Sequence, residues 1–132
     1  MLYTEELADG ILQITPRGRW RRGTWIEIRN EIQVYMAVHS KPVYLLLNMI
    51  SVTTVDDAAF RELVTSDLFG RQKTGLAILV GRRTQLHKAR EMITKHNPNS
   101  SLRLMPRLDD AIRVLLDRQV SDGLQGAQEI GG

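Results

Sequence analysis

Val43-Tyr44-Leu45-Leu46-Leu47 is an unbroken apolar run between Pro42 and Asn48. It is too short for a helix and has no polar alternation, so it predicts a strand covered on both faces. Residues 76–80, Leu-Ala-Ile-Leu-Val, give the same reading, and residues 102–105 a last short strand. Between and around these runs the apolar period changes to three and four residues. Trp25, Ile28, Ile32, Tyr35 and Met36 mark one helix face through about Val38; Ala59, Phe60, Leu63, Val64 and Leu68 mark a second, ended by Gly70. Leu86, Ala89, Met92 and Ile93 mark a third, and residues 108–116 a fourth, with Asp109 and Asp110 near the positive end of its dipole. Apolar strands alternating with amphipathic helices predict an α/β layer structure with parallel crossovers.

The chain opens differently. Residues 2–7 and 11–15 are short, partly alternating runs joined by Asp9-Gly10, a dipeptide that tolerates the positive φ of a tight hairpin turn. Pro16 cannot donate a ladder hydrogen bond and limits the second strand. Thr24-Trp25-Ile26-Glu27 has the form of a capping box, which puts the first helix start at Thr24. Asp56 or Asp57 is expected to cap the second helix and Thr84 the third. In the last stretch, SDGLQGAQEIGG, apolar periodicity stops, so residues 1–120 are expected as one domain and 121–132 as a flexible tail.

At 132 residues the chain fits one domain, burying about two-thirds of its unfolded surface. Its 42% hydrophobic and 25% charged composition is that of a globular protein. The absence of cysteine excludes disulfides, thiol chemistry and Cys-ligated metal centres. The start carries two glutamates and no apolar signal region, and no stretch reaches the length of a transmembrane span, which gives a cytoplasmic expectation. A net charge of +3 implies no global field for nucleic acid.

Catalytic signals are thin. His39, His87 and His96 show no His-x-x-x-His spacing, and no phosphate loop, dinucleotide fingerprint or nucleophile elbow is present. No metal, cofactor or catalytic residue is therefore expected. Adjacent acids at residues 56 and 57 read most simply as a cap and a dipole-complementing charge. The segment Pro16-Arg17-Gly18-Arg19-Trp20-Arg21-Arg22-Gly23-Thr24-Trp25 interleaves basic and aromatic residues as single-stranded nucleic-acid binders do. The preferred reading is a solvated loop or partner-binding edge, because Trp25 belongs to the predicted apolar face. Gly81-Arg82-Arg83-Thr84 follows a predicted parallel strand and opens a helix, where backbone amides favour an anion. With Asn48 and Thr53 from the preceding strand end, Arg82, Arg83 and Thr84 form a candidate anion pocket.

One stretch carries a family likeness. Leu47-Asn48-Met49-Ile50-Ser51-Val52-Thr53-Thr54-Val55-Asp56-Asp57-Ala58-Ala59-Phe60 resembles, in length and hydrophobic pattern, the strand, loop and Asp-Ser-Ser/Thr-Gly-Leu helix opening of the STAS family, named for sulfate transporters and anti-sigma-factor antagonists. Asp56 falls on the family's helix-opening Asp. Gly18 resembles the glycine of its second strand, and residues 76–80, 102–105 and Asp110-Ala111 its last elements, so that the likeness spans about residues 2–117. The resemblance implies a SpoIIAA-like sandwich: an N-terminal β-hairpin, then βα repeats, with four helices on a mostly parallel sheet of about five strands.

It also implies a non-enzymatic regulatory module that contacts a protein partner, often an anti-sigma factor, through the loop and helix start. Here those positions are Ser51, Thr53, Thr54, Asp56, Asp57, Ala58 and Arg61. The chain departs from the family where the phosphorylated Ser or Thr would stand, since Ala58 has no hydroxyl and Asp57 replaces the preceding Ser. Switching by phosphorylation at that position is thus not expected, and Asp57 offers a permanent negative charge. The alternative is a small-ligand or anion binder for phosphate, nucleotide or lipid at the strand ends. A STAS-like subgroup compared with the Sec-fourteen-like lipid-binding fold adds an apolar ligand between sheet and helices. A homodimer through the first strand's edge or the first helix's apolar face is a further expectation.

Overall fold

A computed structural model describes residues 2–70 and 73–131. Strands β1 (Leu2–Ala8) and β2 (Ile11–Pro16) form the expected antiparallel hairpin, with Leu2 opposite Pro16. Gly10 takes φ +85°, which L side chains rarely adopt, so the Asp9-Gly10 turn depends on its glycine. Strands β4 (Val43–Asn48), β6 (Thr74–Val80) and β7 (Arg103–Met105) continue the sheet in the order β1-β2-β4-β6-β7. All pairs after the hairpin are parallel; Leu45 sits between Leu12 and Ala77.

The unbroken apolar runs are explained by what covers them. Period two sends Leu45 and Leu47 to one face, where they join Trp25, Ile28, Ile32 and Met36 of α1 (Arg22–Ala37). The same cluster takes Phe60 and Leu63 from α2 (Asp57–Val64) and Leu86 and Ala89 from α3 (Arg83–His96). Tyr44 and Leu46 point to the other face, against Ala111 and Leu115 of α4 (Leu108–Gly131). Leu45, Leu46 and Leu47 are fully buried, and each burial is worth about 1.5 to 3 kcal/mol.

Several boundaries differ from the sequence reading, for local reasons. Helix α1 starts at Arg22 with Arg21 as N-cap, not at Thr24. A short strand β3 (Gly18–Trp20) runs up to that point, and the Thr24 hydroxyl, one turn inside, accepts the Arg21 N–H at 3.1 Å. Arg82 likewise precedes α3, with its N–H bound by Gln85 Oε1 at 2.7 Å, so Thr84 lies within the first turn and is not the cap. The segment after β4 contains a further strand, β5 (Val52–Val55), which pairs in parallel with β3 as a separate two-stranded sheet. Helix α2 ends at Val64, and a 3-10 turn, Asp67–Gly70, buries Leu68 and Phe69.

Helix α4 passes the end expected near Leu116 and runs to Gly131. Polar contacts tie it down well beyond its apolar stripe. Tyr44 Oη donates to Asp122, Arg118 lies 3.5 Å from the same carboxylate, and Gln119 Nε2 donates to the Asp9 carbonyl at 2.6 Å. Residues 121 and 122, expected in a flexible tail, thus belong to a helix anchored to the sheet and hairpin; Gly132, the end of that expected tail, lies outside the described residues. Burial first, and the Asp122 bond second, raise the Tyr44 hydroxyl pKa above its usual value. Among the described residues no helix is long and apolar enough to cross a membrane.

Candidate functional site

Strand β4 leaves the sheet at Asn48, whose side-chain oxygen accepts the Ile50 N–H at 3.1 Å and shapes the turn. Met49 is fully buried and donates its N–H to the Val80 carbonyl at 2.8 Å, continuing the β6 contact for one more residue. The chain then turns back, with Val52 N–H on the Met49 carbonyl at 3.0 Å, and enters β5. Gly18 begins the pairing strand at φ +78° and donates to the Ser51 carbonyl at 3.1 Å. A side chain at that φ would strain the strand exactly where it meets the turn.

Two residues from the start of α3 hold this loop. Gln85 is only 6% exposed, and its Nε2 donates to the carbonyls of Met49 at 2.8 Å and Val52 at 3.2 Å. Arg82 Nη2 donates to the same Val52 carbonyl at 2.7 Å. The Met49 carbonyl, already bonded within the turn by Val52 N–H, and the Val52 carbonyl are thereby tied to a neighbouring helix, which keeps these backbone acceptors partnered. Below the loop, Trp20 and Phe60 meet edge to face, with ring centroids 6.0 Å apart. Trp20 Nε1 is buried without a hydrogen-bond partner, so this residue acts here by packing.

Above that floor lies a polar ledge. Asp56 donates its N–H to the Trp20 carbonyl at 2.9 Å, and its carboxylate accepts the Ala59 N–H at 3.1 Å, capping α2 as expected. Ser51, Thr53, Thr54, Asp56, Asp57, Ala58 and Arg61 are all exposed, while Val52, Ala59 and Phe60 between them are buried. Asp57 is ion-paired with Lys88 of α3, although its side chain stays 70% exposed. Its charge is therefore partly matched within the chain, not standing alone, and an exposed pair of this kind contributes about 0 to 1 kcal/mol.

Arg82 spends a guanidinium N–H on Val52, and Asn48 spends its side-chain oxygen on the turn. Thr53, Arg83 and Thr84 are exposed. Among the described residues, shallow concavities lie elsewhere, between β1 and α1 at Leu2 and Glu31, between α1 and the 3-10 turn at Arg29 and Asp67, and along α3 at His87 and Lys95. The space between sheet and helices is occupied by the buried side chains of the two apolar clusters. Gln85 was invisible to a reading of apolar faces. Its signal was its place at the third position of α3, where an amide can serve as acceptor and donor together.

No family model matches the chain and no curated protein matches it in sequence. Solved structures do. An anti-sigma factor antagonist from Mycobacterium paratuberculosis superposes with a TM-score of 0.61 at 18% identity, over 87% of this chain and 92% of the other. An uncharacterized DUF3478-family protein of SpoIIAA-like fold from Shewanella loihica PV-4 superposes with a TM-score of 0.58 at 13% identity, again over 87% of this chain and 92% of the other. At these identities the likeness is one of fold. Hairpin, parallel sheet, helices and loop together give this chain a SpoIIAA-like fold.

Proposed function

We propose that this chain is a non-enzymatic regulatory module that binds a protein partner through the ledge formed by β5 and the start of α2. The observation that carries this reading is the contrast within one short stretch. Seven polar or small residues stand exposed on a backbone that Gln85 and Arg82 hold from below. A preorganised surface loses less entropy on association, so such a ledge suits recognition. The superposition on an anti-sigma factor antagonist supports a regulatory setting.

In this reading the contact is not gated by phosphorylation at the usual family position, because Ala58 and Asp57 supply no hydroxyl there. The partner meets a surface with one covalent state. Ala58 is the sensitive point, since it is exposed and small beside the capped helix start. Ala58→Arg adds bulk there without touching the core. In paired capture from native lysate, quantified by mass spectrometry, a specific partner is expected to be retained by the unmodified chain and lost from Ala58→Arg at equal melting temperature. Equal retention of every partner by both proteins would refute the ledge as the contact surface.

A further inference from the structure

We propose that Glu6, Asp9 and His39 form a binding site for a divalent transition-metal cation of the zinc type, clipping the N-terminal hairpin to the end of α1. The three residues come from β1, the hairpin turn and the residue after the C-cap of α1, and their ligand atoms lie within 4.8 Å of one another. The chemistry of His39 turns this from a cluster of charges into a coordination geometry. Its Nδ1 lies 2.8 Å from the Tyr35 carbonyl, and a carbonyl only accepts, so Nδ1 carries the proton. In the neutral ring, Nε2 is then a bare lone pair. It faces Asp9 Oδ1 at 3.6 Å and Glu6 Oε2 at 3.8 Å, which are acceptors too.

Three acceptor atoms converge here, and the one donor among them, Tyr35 Oη, reaches only Glu6 Oε2, so a cation between them would serve all three. A proton on Nε2 serves poorly, because charge-assisted hydrogen bonds close to about 2.7 to 2.9 Å. A tetrahedral zinc with bonds of about 2.0 to 2.1 Å places its ligands about 3.3 Å apart, so the two separations from His39 Nε2 need to shrink by only a few tenths, and the exposed Asp9 carboxylate has room to move toward Glu6. Imidazole and carboxylate are suitable donors for such an ion, and the negative end of the α1 dipole adds attraction.

Tyr35 supports two of the three ligands at once. Besides accepting from His39, it packs its ring on the imidazole with centroids 4.2 Å apart, and its hydroxyl donates to Glu6 Oε2. Metal-bound histidines are commonly oriented by a backbone carbonyl on the far ring nitrogen, and ligating carboxylates by their own hydrogen bonds. The side chain of His39 is 21% exposed and that of Asp9 101%, so the cation has an open approach and Asp9 is free to close over it. No spacing rule could have found this trio, because its members lie 3 and 30 residues apart in sequence, on different elements.

Calorimetric titration of the full chain with zinc chloride tests the proposal, with cobalt absorption as a second probe. The expected result is one equivalent bound, a higher melting temperature with metal, and loss of both with His39→Asn. Asp9→Asn, at a fully exposed turn position that tolerates Asn before Gly, keeps the fold and is expected to weaken binding at least about tenfold. Tyr35→Phe removes the hydroxyl bond to Glu6 and is expected to weaken it less, whereas His87→Ala, which alters the separate His87–Glu91 pair, leaves it unchanged. Absence of binding at millimolar zinc overturns the proposal, as does binding that is indifferent to both His39→Asn and Asp9→Asn.

Discussion

The centre of the sheet and the ledge beside it are built by opposite means. In β4 and β6 the side chains do the work: Leu45, Leu46, Leu47, Ile78, Leu79 and Val80 are fully buried on two faces, and the backbone bonds fall into a regular parallel ladder. In residues 49–56 the backbone is held by side chains from elsewhere, chiefly Gln85 and Arg82, while most of its own side chains face water. The first arrangement gives stability and the second gives a shaped surface. Substitutions in the two regions should therefore differ in what they change, not only in how much.

The largest effect is expected in the sheet. Leu46→Ala leaves a cavity against Ala111 and Leu115 and should cost about 2 to 5 kcal/mol in denaturant unfolding, with the ledge failing only when the whole domain does. A cost below about 1 kcal/mol would mean that α4 does not seal that face.

Tyr44 tests the same face through pH. Its raised pKa means that the folded state holds the phenolic proton more tightly than the unfolded chain, whose value is near 10. This contribution is complete below about pH 10 and is lost as pH rises toward the higher native value. Tyr44→Phe is therefore expected to lower stability at neutral pH by about 1.5 to 3 kcal/mol and to flatten the alkaline decline. An unchanged alkaline slope would assign that decline to Tyr35, whose pKa is also raised, by burial first and by Glu6 second.

In the ledge, Gln85→Leu removes the amide that serves the Met49 and Val52 carbonyls and the Arg82 N–H. It should cost about 1 to 3 kcal/mol and, more tellingly, speed amide hydrogen exchange in residues 49–55 while β4 and β6 stay protected. Uniform loss of protection would erase the distinction between the regions. The smallest effect belongs to Asp57→Asn, which breaks the exposed pair with Lys88 and should shift stability by less than about 1 kcal/mol in a thermal melt.

The same contrast explains what the sequence made legible. Strands β4 and β6 announce themselves because burial on both faces leaves no polar residue in the run. The hairpin was marked by Asp9-Gly10, and the α2 cap by Asp56. Strands β3 and β5 were hidden, since they have three and four residues and place Arg19, Thr53 and Thr54 in solvent. The starts of α1 and α3 were misplaced because arginine is a poor cap: Thr24 and Gln85, one turn inside, supply the oxygen instead. The end of α4 was missed because its late anchors are polar. Of the candidate site, the ledge was legible as a segment, but the support beneath it depends on contacts more than 30 residues apart.

The central claim is that a partner meets the ledge and not the opposite face of the sheet. A photo-crosslinking residue placed at Thr54 on β5, or at exposed Val120 on α4, tests this directly in native lysate. The account predicts a discrete cross-linked partner from position 54, suppressed by Ala58→Arg, and none in common from position 120. A partner captured from position 120 and never from position 54 would contradict it.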